Sequence, residues 1–288
     1  MSIDRRIFFK TAALIGTSMA IGKSFGSPPP EGGDVEFHGM LYDSTRCAGC
    51  QECERACAAA NGLPEPTETL EMGKLRKTSE SQRCVVNSFE TSIGEGLAKS
   101  QCMHCNEPAC AAACLTGAML KTKEGPVVWI EDKCMGCRYC MLSCPFDVPK
   151  FEYHSINPKI QKCDMCYDRQ KNGQIPACAE ACPAEAITYG TRKELMEEAR
   201  RRIAESPDLY IHEIYGEKVA GGTGILYLSA APFKEIGLNT DLQNASYPEL
   251  TKGFLFSVPT VDILVPPLLL GIYAATKNNN HKEEEEND

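Results

Sequence analysis

The sequence predicts an α+β fold in which one cysteine-rich unit is inserted into another, followed by one apolar helix at the C-terminus. Three observations lead to this prediction. Sixteen of the 17 cysteines fall into four groups of four. Short apolar segments with the patterns of strands and helices separate and follow these groups. A long apolar stretch then lies close to the end of the 288-residue chain.

The four cysteine groups have the spacing of iron–sulfur ligands. A cubane [4Fe–4S] cluster takes one thiolate for each of its iron atoms, so sixteen thiolates are enough for four clusters. Two of the groups have the spacing C-x2-C-x2-C-x3-C, which is typical of bacterial iron–sulfur proteins. The predicted ligands are Cys47, Cys50, Cys53 and Cys57; Cys102, Cys105, Cys110 and Cys114; Cys134, Cys137, Cys140 and Cys144; and Cys163, Cys166, Cys178 and Cys182.

Other uses of cysteine fit the spacing less well. A structural zinc site takes four ligands in all, usually as two C-x2-C pairs, so the third cysteine of each tight run would be surplus. A disulfide framework is typical of short secreted chains, whereas this chain has an odd number of closely spaced cysteines.

The net charge of -9 argues against a nucleic-acid partner, because binding to phosphates needs a basic face.

The N-terminus has the features of an export signal. Arg5 and Arg6 precede an uncharged stretch at residues 11–22, and a small-residue cleavage site follows at residues 24–26. Paired arginines are typical of the twin-arginine route. Residues 1–26 are therefore predicted to be a twin-arginine signal peptide, and the mature chain is predicted to be periplasmic. The alternative is a chance arginine pair before a short core helix.

The C-terminus carries an apolar stretch at residues 253–276, which is long enough to cross a bilayer once. It is predicted to be a membrane anchor, and residues 277–288 an acidic tail. Asp262 within the stretch would be costly in lipid unless it faces protein. An amphipathic or partner-buried helix is therefore the alternative. The stretch also contains three prolines, Pro259, Pro266 and Pro267.

Residues 40–190 are predicted to form the four-cluster domain. Its inner unit, residues 101–150, holds the second and third cysteine groups on either side of a predicted strand at residues 127–130. The first and fourth groups are then the two halves of an outer unit that contains the inner one as an insertion. Residues 114–119 and 182–187 are similar in sequence, which indicates an internal repeat.

Residues 191–250 are predicted to be an extension of helix and strand. Thr191 and Glu194 have the spacing of a capping box, which predicts an amphipathic helix to about Arg202. We expect this helix to pack over a cluster. Residues 225–228 have the composition of a short strand.

Several residues outside the ligand sets have two interpretations. Residues 61–100 are predicted to be a surface insertion available to a partner, and Cys84 within them a buried structural thiol. His104 either donates a hydrogen bond to cluster sulfur or faces solvent. Arg138 and Tyr139, between two ligands, either tune the charge near a cluster or cover it from water.

Each unit resembles a bacterial-type ferredoxin with two [4Fe–4S] clusters, in which the fourth cysteine of one group binds the cluster of the other group. The resemblance, rather than the spacing alone, implies four ligand sets. Set 1 is Cys47, Cys50, Cys53 and Cys182; set 2 is Cys163, Cys166, Cys178 and Cys57; set 3 is Cys102, Cys105, Cys110 and Cys144; and set 4 is Cys134, Cys137, Cys140 and Cys114.

The series of four cysteine groups resembles that of the electron-transfer subunits of respiratory complexes, of the DmsB and formate dehydrogenase beta-subunit type. It is most similar to the HybA-type iron–sulfur subunits of membrane-bound uptake [NiFe]-hydrogenases (hydrogenase-2). The stretches that carry this resemblance are residues 41–45, 101–105, 137–141, 148–150, 190–199, 215–217 and 221–223.

The resemblance implies a periplasmic relay that is not catalytic alone. Electrons from a hydrogenase small and large subunit pair would pass through four [4Fe–4S] clusters to a polytopic quinone-reactive membrane subunit. The alternative is the same relay for a molybdopterin oxidoreductase or a cytochrome. A protein whose clusters feed its own active site is a different hypothesis, and the absence of nucleotide-binding and nucleophile-elbow motifs argues against it.

Overall fold

The computed structural model describes residues 36–285, of which the side chains of Ala275 and residues 277–285 are left out of the description. The predicted signal peptide and the last three residues of the acidic tail lie outside the described residues. The protein divides into a cysteine-rich unit, residues 35–251, and a second unit that contains most of the C-terminal helix.

A three-stranded sheet joins distant parts of the cysteine-rich unit. Strand β1, His38–Asp43, pairs antiparallel with β8, Ile187–Thr191, and parallel with β9, Ile225–Leu228. In this register Met40 lies opposite both Tyr189 and Ile225. The predicted strand at residues 225–228 is therefore present. The strand before the first cysteine group pairs with the strand after the fourth.

The sheet is buried on both faces. From β1, Met40 and Tyr42 contribute to a cluster that includes Cys53 and Cys178, whereas Leu41 contributes to a separate apolar cluster. Helix α6, Arg192–Glu205, covers the Leu41 face. It begins at the predicted capping box, with both reciprocal hydrogen bonds between Thr191 and Glu194 formed.

The expectation that helix α6 packs over a cluster is wrong. Its apolar residues Leu195, Met196 and Ala199 pack with Leu226 and Leu228 of β9. Within the described part of the protein, the buried residues of this contact include no cysteine. The helix therefore stabilises the sheet, whose opposite face is the one that meets the thiols.

Residues 85–100 form a β-hairpin, so the expectation of a surface insertion is wrong for this half of residues 61–100. Strands β2, Val85–Thr91, and β3, Gly94–Ser100, pair antiparallel along their full length. Val85, Val86 and Ala98 are buried. The hairpin is thus part of the core beside the first cysteine group.

Shorter strands and helices complete the unit. Strands β4, Met119–Lys121, and β5, Val127–Trp129, form one pair, and β6, Lys150–Phe151, and β7, Ile160–Gln161, form another. β5 confirms the strand predicted before the third cysteine group. The helices among the cysteine groups are α1, Glu52–Asn61; α2, Ala109–Ala112; α3, Tyr139–Leu142; α4, Tyr167–Lys171; and α5, Ala177–Glu180.

Contacts between these elements join the first group with the fourth and the second with the third. Helix α1 packs against α5, and α2 packs against α3. β4, which follows the second group, pairs with β5, which precedes the third. A nested arrangement requires this order of contacts. That both units are ferredoxin-like stays a prediction.

Most of the C-terminal helix α7, Tyr247–Glu285, lies in the second unit, and the helix has Pro259, Pro266 and Pro267 inside it. By length and composition its segment Tyr247–Ala274 is able to cross a membrane. It is the one helix of that kind among the described residues. The predicted anchor at residues 253–276 therefore falls within a continuous helix, which begins six residues earlier and continues into the acidic tail.

Candidate iron–sulfur site

The four cysteine groups share one local backbone. The third cysteine of each group is the second residue of a helix: Cys53 in α1, Cys110 in α2, Cys140 in α3 and Cys178 in α5. Each helix thus starts with a thiol placed on its first turn. The spacing of the cysteines did not indicate these helices.

A left-handed residue stands at the same place in all four groups, two positions after the first cysteine. These residues are Gly49 (φ +67°), His104 (φ +48°), Gly136 (φ +73°) and Met165 (φ +57°). Left-handed residues in such loops turn successive backbone N–H groups into one concavity, which is a common setting for anions and iron–sulfur centres. The backbone therefore suits an anionic cluster, even where the residue is not glycine.

Backbone amides also point at thiol sulfurs. The amide of Met165 donates to Sγ of Cys163 at 3.3 Å, and the amide of Ala186 donates to Sγ of Cys182 at 3.3 Å. The amide of Met119 donates to Sγ of Cys114 at 3.4 Å. Hydrogen bonds of this kind favour the thiolate form, which is the form that binds iron.

Most of the thiols are held in apolar surroundings. Burial, together with neighbouring thiols, raises the pKa of Cys110 to about 12 and of Cys140 to about 11. Burial also raises the pKa of Cys166 to about 11. Deprotonated thiols in these positions need nearby positive charge, which bound iron would supply.

The electrostatic neighbours of each thiol follow the predicted sets in most cases. In addition to burial, charge on Cys102, Cys110 and Cys144 raises the pKa of Cys105. Charge on Cys134, Cys137 and Cys114 likewise raises the pKa of Cys140. Cys47 is affected by Cys182 and Cys50, and Cys57 by Cys163 and Cys178. Cys53 and Cys57 also depart from the sets, because Cys84, which belongs to no set, is the thiol that most raises the pKa of each. The assignment of ligands to individual clusters stays a prediction.

One small cavity is lined by all four thiols of set 2. The lining also includes Cys84 and the side chain of Lys99. Among the described residues, no three His, Cys, Asp or Glu side chains form a site for a single metal ion. A four-iron cluster is a different site, because each thiolate binds its own iron atom. The residues around this cavity fit such a cluster.

Cys84 is buried, as predicted, with 3% of its surface exposed. Its thiol donates to the carbonyl of Cys53 at 3.7 Å. A hydrogen bond with the thiol of Cys57 lowers the pKa of Cys84 to about 7. The sequence predicted its burial but gave no signal for its contact with a ligand.

His104 is fully buried, so the solvent-facing alternative is wrong. Its Nδ1 accepts a hydrogen bond from the amide of Val127 at 2.8 Å. An amide only donates, so the proton of the neutral ring lies on Nε2. Nε2 is buried and has no hydrogen-bond partner in the part of the protein that the structure describes.

Arg138 and Tyr139 lie at the start of α3. The guanidinium of Arg138 lies 5.4 Å from the ring centre of Phe151 and 5.7 Å from that of Tyr153. Tyr139 is half exposed. That either residue tunes the charge near a cluster or covers the cluster from water stays a prediction.

Comparison with known proteins identifies the family. A family model described as a 4Fe-4S dicluster domain matches residues 96–192, which contain three of the four cysteine groups. The hydrogenase-2 operon protein HybA of Escherichia coli O157:H7 is 35% identical over 278 residues, covering 82% of this chain and 84% of that protein. The protein described here belongs to the HybA-type family of iron–sulfur electron-transfer subunits.

Two other relatives of this HybA-type protein place it in a wider group. A protein of Nitratidesulfovibrio vulgaris (strain Hildenborough) is 43% identical over 286 residues, covering 96% of this chain and 75% of the relative. The iron–sulfur subunit of nitrate-inducible formate dehydrogenase of Escherichia coli K12 is 31% identical over 250 residues, which cover 83% of this chain and 79% of that subunit. The resemblance seen in the sequence is thus confirmed. The HybA-type protein is an electron-transfer subunit of an oxidoreductase complex and is not catalytic alone.

Proposed function

We propose that this protein is the periplasmic relay subunit of a membrane-bound [NiFe]-hydrogenase and holds four [4Fe–4S] clusters. Its partners are the hydrogenase small and large subunits on one side and a polytopic quinone-reactive membrane subunit on the other. Each cluster supplies reversible one-electron chemistry at a potential that its surroundings set. The protein itself holds the thiolates, excludes water and provides the local charge.

The observation that carries this proposal is the fourfold repetition of one thiol-bearing loop and helix. Each copy has a left-handed residue after its first cysteine and the third cysteine on the first turn of a helix. We assign the copies to sets 1 to 4 as defined above, with the fourth thiol exchanged between paired groups. The cavity lined by Cys57, Cys163, Cys166 and Cys178 supports set 2.

Contacts between sets support a linear order. Cys53 of set 1 is an electrostatic neighbour of Cys178 of set 2. Cys163 of set 2 is a neighbour of Cys102 of set 3. Cys110 of set 3 is a neighbour of Cys140 of set 4. The thiols thus form a continuous series, as a relay from one partner to another requires.

The location of the relay is part of the same proposal. Residues 1–26 direct export by the twin-arginine route, and residues 253–276 anchor the exported protein. The apolar helix that includes residues 253–276 supports the anchor. Asp262 lies within that helix, and a protein neighbour in the membrane would shield its charge.

A second candidate function is the same relay in a molybdopterin oxidoreductase complex. It is favoured by the 31% identity to the formate dehydrogenase subunit. It is also favoured by 36% identity over 161 residues to the B subunit of the anaerobic dimethyl sulfoxide reductase of Haemophilus influenzae. The hydrogenase proposal takes precedence because the HybA relative matches at higher identity than the formate dehydrogenase subunit over a similar share of this chain.

Purification from native membranes separates the two candidates. An affinity tag placed after Asp288 leaves the export signal free, and mild detergent keeps partner subunits attached. We expect nickel and hydrogen-dependent dye reduction to co-purify with the tagged protein. Molybdenum with formate- or sulfoxide-dependent activity in place of nickel would establish the second candidate.

A further inference from the structure

We propose that Lys99 is a built-in positive charge that raises the reduction potential of the cluster held by Cys57, Cys163, Cys166 and Cys178. The inference rests on the proposed function, because it requires a cluster in set 2. It adds a role for a residue outside every cysteine group. The position of the ammonium and the identity of its partners both support this role.

Lys99 is a core residue. It lies on β3 opposite Val86, and only 1% of its surface is exposed. Its backbone carbonyl accepts a hydrogen bond from the hydroxyl of Tyr227 at 2.6 Å. Its Nζ donates to Oε1 of Gln101. The side chain therefore has a fixed place inside the protein and does not extend into solvent.

The two deeply buried guanidinium groups have carboxylate partners, whereas the buried ammonium of Lys162 donates to the backbone carbonyls of Val127 and Cys163. Arg76 pairs with Glu54 at 2.6 Å, and Arg202 pairs with Asp43 at 3.0 Å. Among the described residues, no Asp or Glu forms an ion pair with Lys99. An isolated buried charge is costly, so a buried ammonium needs an anion close by.

Thiols are the acidic groups that surround Lys99. The side chain lines the same cavity as the four thiols of set 2. Cys178 is the thiol with the largest electrostatic effect on Lys99, followed by Cys84, Cys53 and Cys163. The anion that the buried ammonium lacks is therefore supplied by the thiolates and, when bound, by their cluster.

The sign of the effect follows from Coulomb's law. Reduction adds one negative charge to a cluster, and a nearby positive charge stabilises that added charge. Net charge and hydrogen bonds to sulfur are among the factors that set cluster potentials. Low exposure to water weakens the screening, so one ammonium has a large effect. Set 2 should accordingly have a higher potential than it would have without Lys99.

The test is a redox titration of the anaerobically purified, cluster-loaded protein, followed by electron paramagnetic resonance. Lys99→Met removes the charge and keeps the length of the side chain, and Lys99→Gln keeps a polar group. We expect both to make the reduction of one cluster at least tenfold less favourable, a fall of about 59 mV for one electron. The potential of set 1, whose ligand Cys53 is also close to Lys99, should fall by less, and those of sets 3 and 4 should change little. Lys74→Met, at a half-exposed lysine paired with Glu71, is the matched control.

A Cys178→Ser variant shows which signal belongs to set 2. If that signal keeps its potential in Lys99→Met and Lys99→Gln, the inference about Lys99 is wrong while the proposed function stands. If Cys178→Ser alters no cluster, the ligand set itself is wrong. Should both neutral variants lose the set 2 cluster, retention in Lys99→Arg supports a need for charge. Loss of the cluster in Lys99→Arg as well would overturn the proposal in favour of a packing role.

Discussion

Arg76 and Glu54 form a buried bidentate ion pair next to the first cysteine group. Nη2 of Arg76 lies 2.6 Å from Oε1 of Glu54, and Nη1 lies 3.0 Å from Oε2. The same carboxylate accepts the amide of Val86 at 2.7 Å, and the guanidinium donates to the carbonyl of Val86 at 2.5 Å. The pair thus fastens helix α1, which carries Cys53, to the hairpin of β2 and β3.

Replacing Arg76 by Met should destabilise the protein strongly. It would leave the charge of Glu54 buried and unpaired, which costs about 3–5 kcal/mol of the free energy of unfolding. The measurement is the temperature at which the anaerobic protein loses its visible iron–sulfur absorption. Arg55→Met, which breaks an exposed pair with Glu52, is the control and should leave that temperature unchanged. Equal shifts for the two variants would contradict a special role of the buried pair.

The sequence predicts the elements whose signals are local. Thr191 and Glu194 are three residues apart and form the capping box that begins α6. The strand at residues 225–228 is apolar throughout and is present as β9. Cys84 is predicted to be buried, and it is. The causes of the cap and the strand lie within a few neighbouring residues, so a pattern in the sequence can report them, and the burial of Cys84 follows from the general tendency of free thiols to be buried.

The hairpin at residues 85–100 is missed, and the burial of His104 is left open, because their causes are tertiary. Asn87 and Lys99 are polar residues at buried strand positions, which hides the alternation typical of a half-buried strand. Asn87 is satisfied by two hydrogen bonds with the backbone of Arg76, at 2.8 and 2.9 Å. The partner of His104 is the amide of Val127, 23 residues away. No local pattern reports such partners.

The anaerobically purified protein should contain about sixteen iron atoms and sixteen sulfide ions per chain. The physical reason is one thiolate for each iron atom of four clusters. Colorimetric iron and sulfide analysis checks the number, and dithionite should bleach the brown colour. A variant in which Cys84 alone is replaced by Ser should give the same values. Zinc in place of iron would contradict the assignment of all four groups.

Replacing Cys182 by Ser should damage the cluster of set 1, held also by Cys47, Cys50 and Cys53. Cys182 follows helix α5 of the fourth group, which packs against helix α1 of the first, and it is an electrostatic neighbour of Cys47. Electron paramagnetic resonance of the reduced protein is the measurement. The companion variant Cys114→Ser should instead affect set 4. Loss of set 2 alone from Cys182→Ser would mean that the fourth thiols are not exchanged.

Replacing Arg5 and Arg6 together by Lys should keep the protein in the cytosol. The twin-arginine signal is read by a receptor that recognises the arginine pair, so a pair of lysines with the same charge is not equivalent. Cell fractionation with immunodetection of the mature and precursor forms is the measurement. Lys23→Arg changes a basic residue outside the pair and should be exported normally. Periplasmic accumulation of the double variant would refute the twin-arginine assignment.

Truncation before Lys252 should release a soluble, cluster-loaded protein into the periplasm. The truncation removes residues 252–288 and with them most of the segment Tyr247–Ala274 that is able to cross a membrane. The cysteine-rich unit ends at residue 251, so its sheet, hairpin and thiols are all retained. Electron transfer from the partner enzyme to quinone should be lost, because the membrane subunit is no longer held close. Dye reduction by the partner enzyme should survive, since it does not need the membrane.

The matched control for this truncation removes only residues 277–288. It takes away the acidic tail and leaves the apolar stretch, which keeps enough length to cross the bilayer. We expect that variant to stay with the membrane fraction in alkaline carbonate washes and to support quinone reduction. Asp262→Asn, in the full-length protein, should also stay anchored, because it removes the charge that is costly in lipid. If the protein truncated before Lys252 still sediments with membranes and still supports quinone reduction, contacts of the cysteine-rich unit hold the complex together and helix α7 is not the anchor.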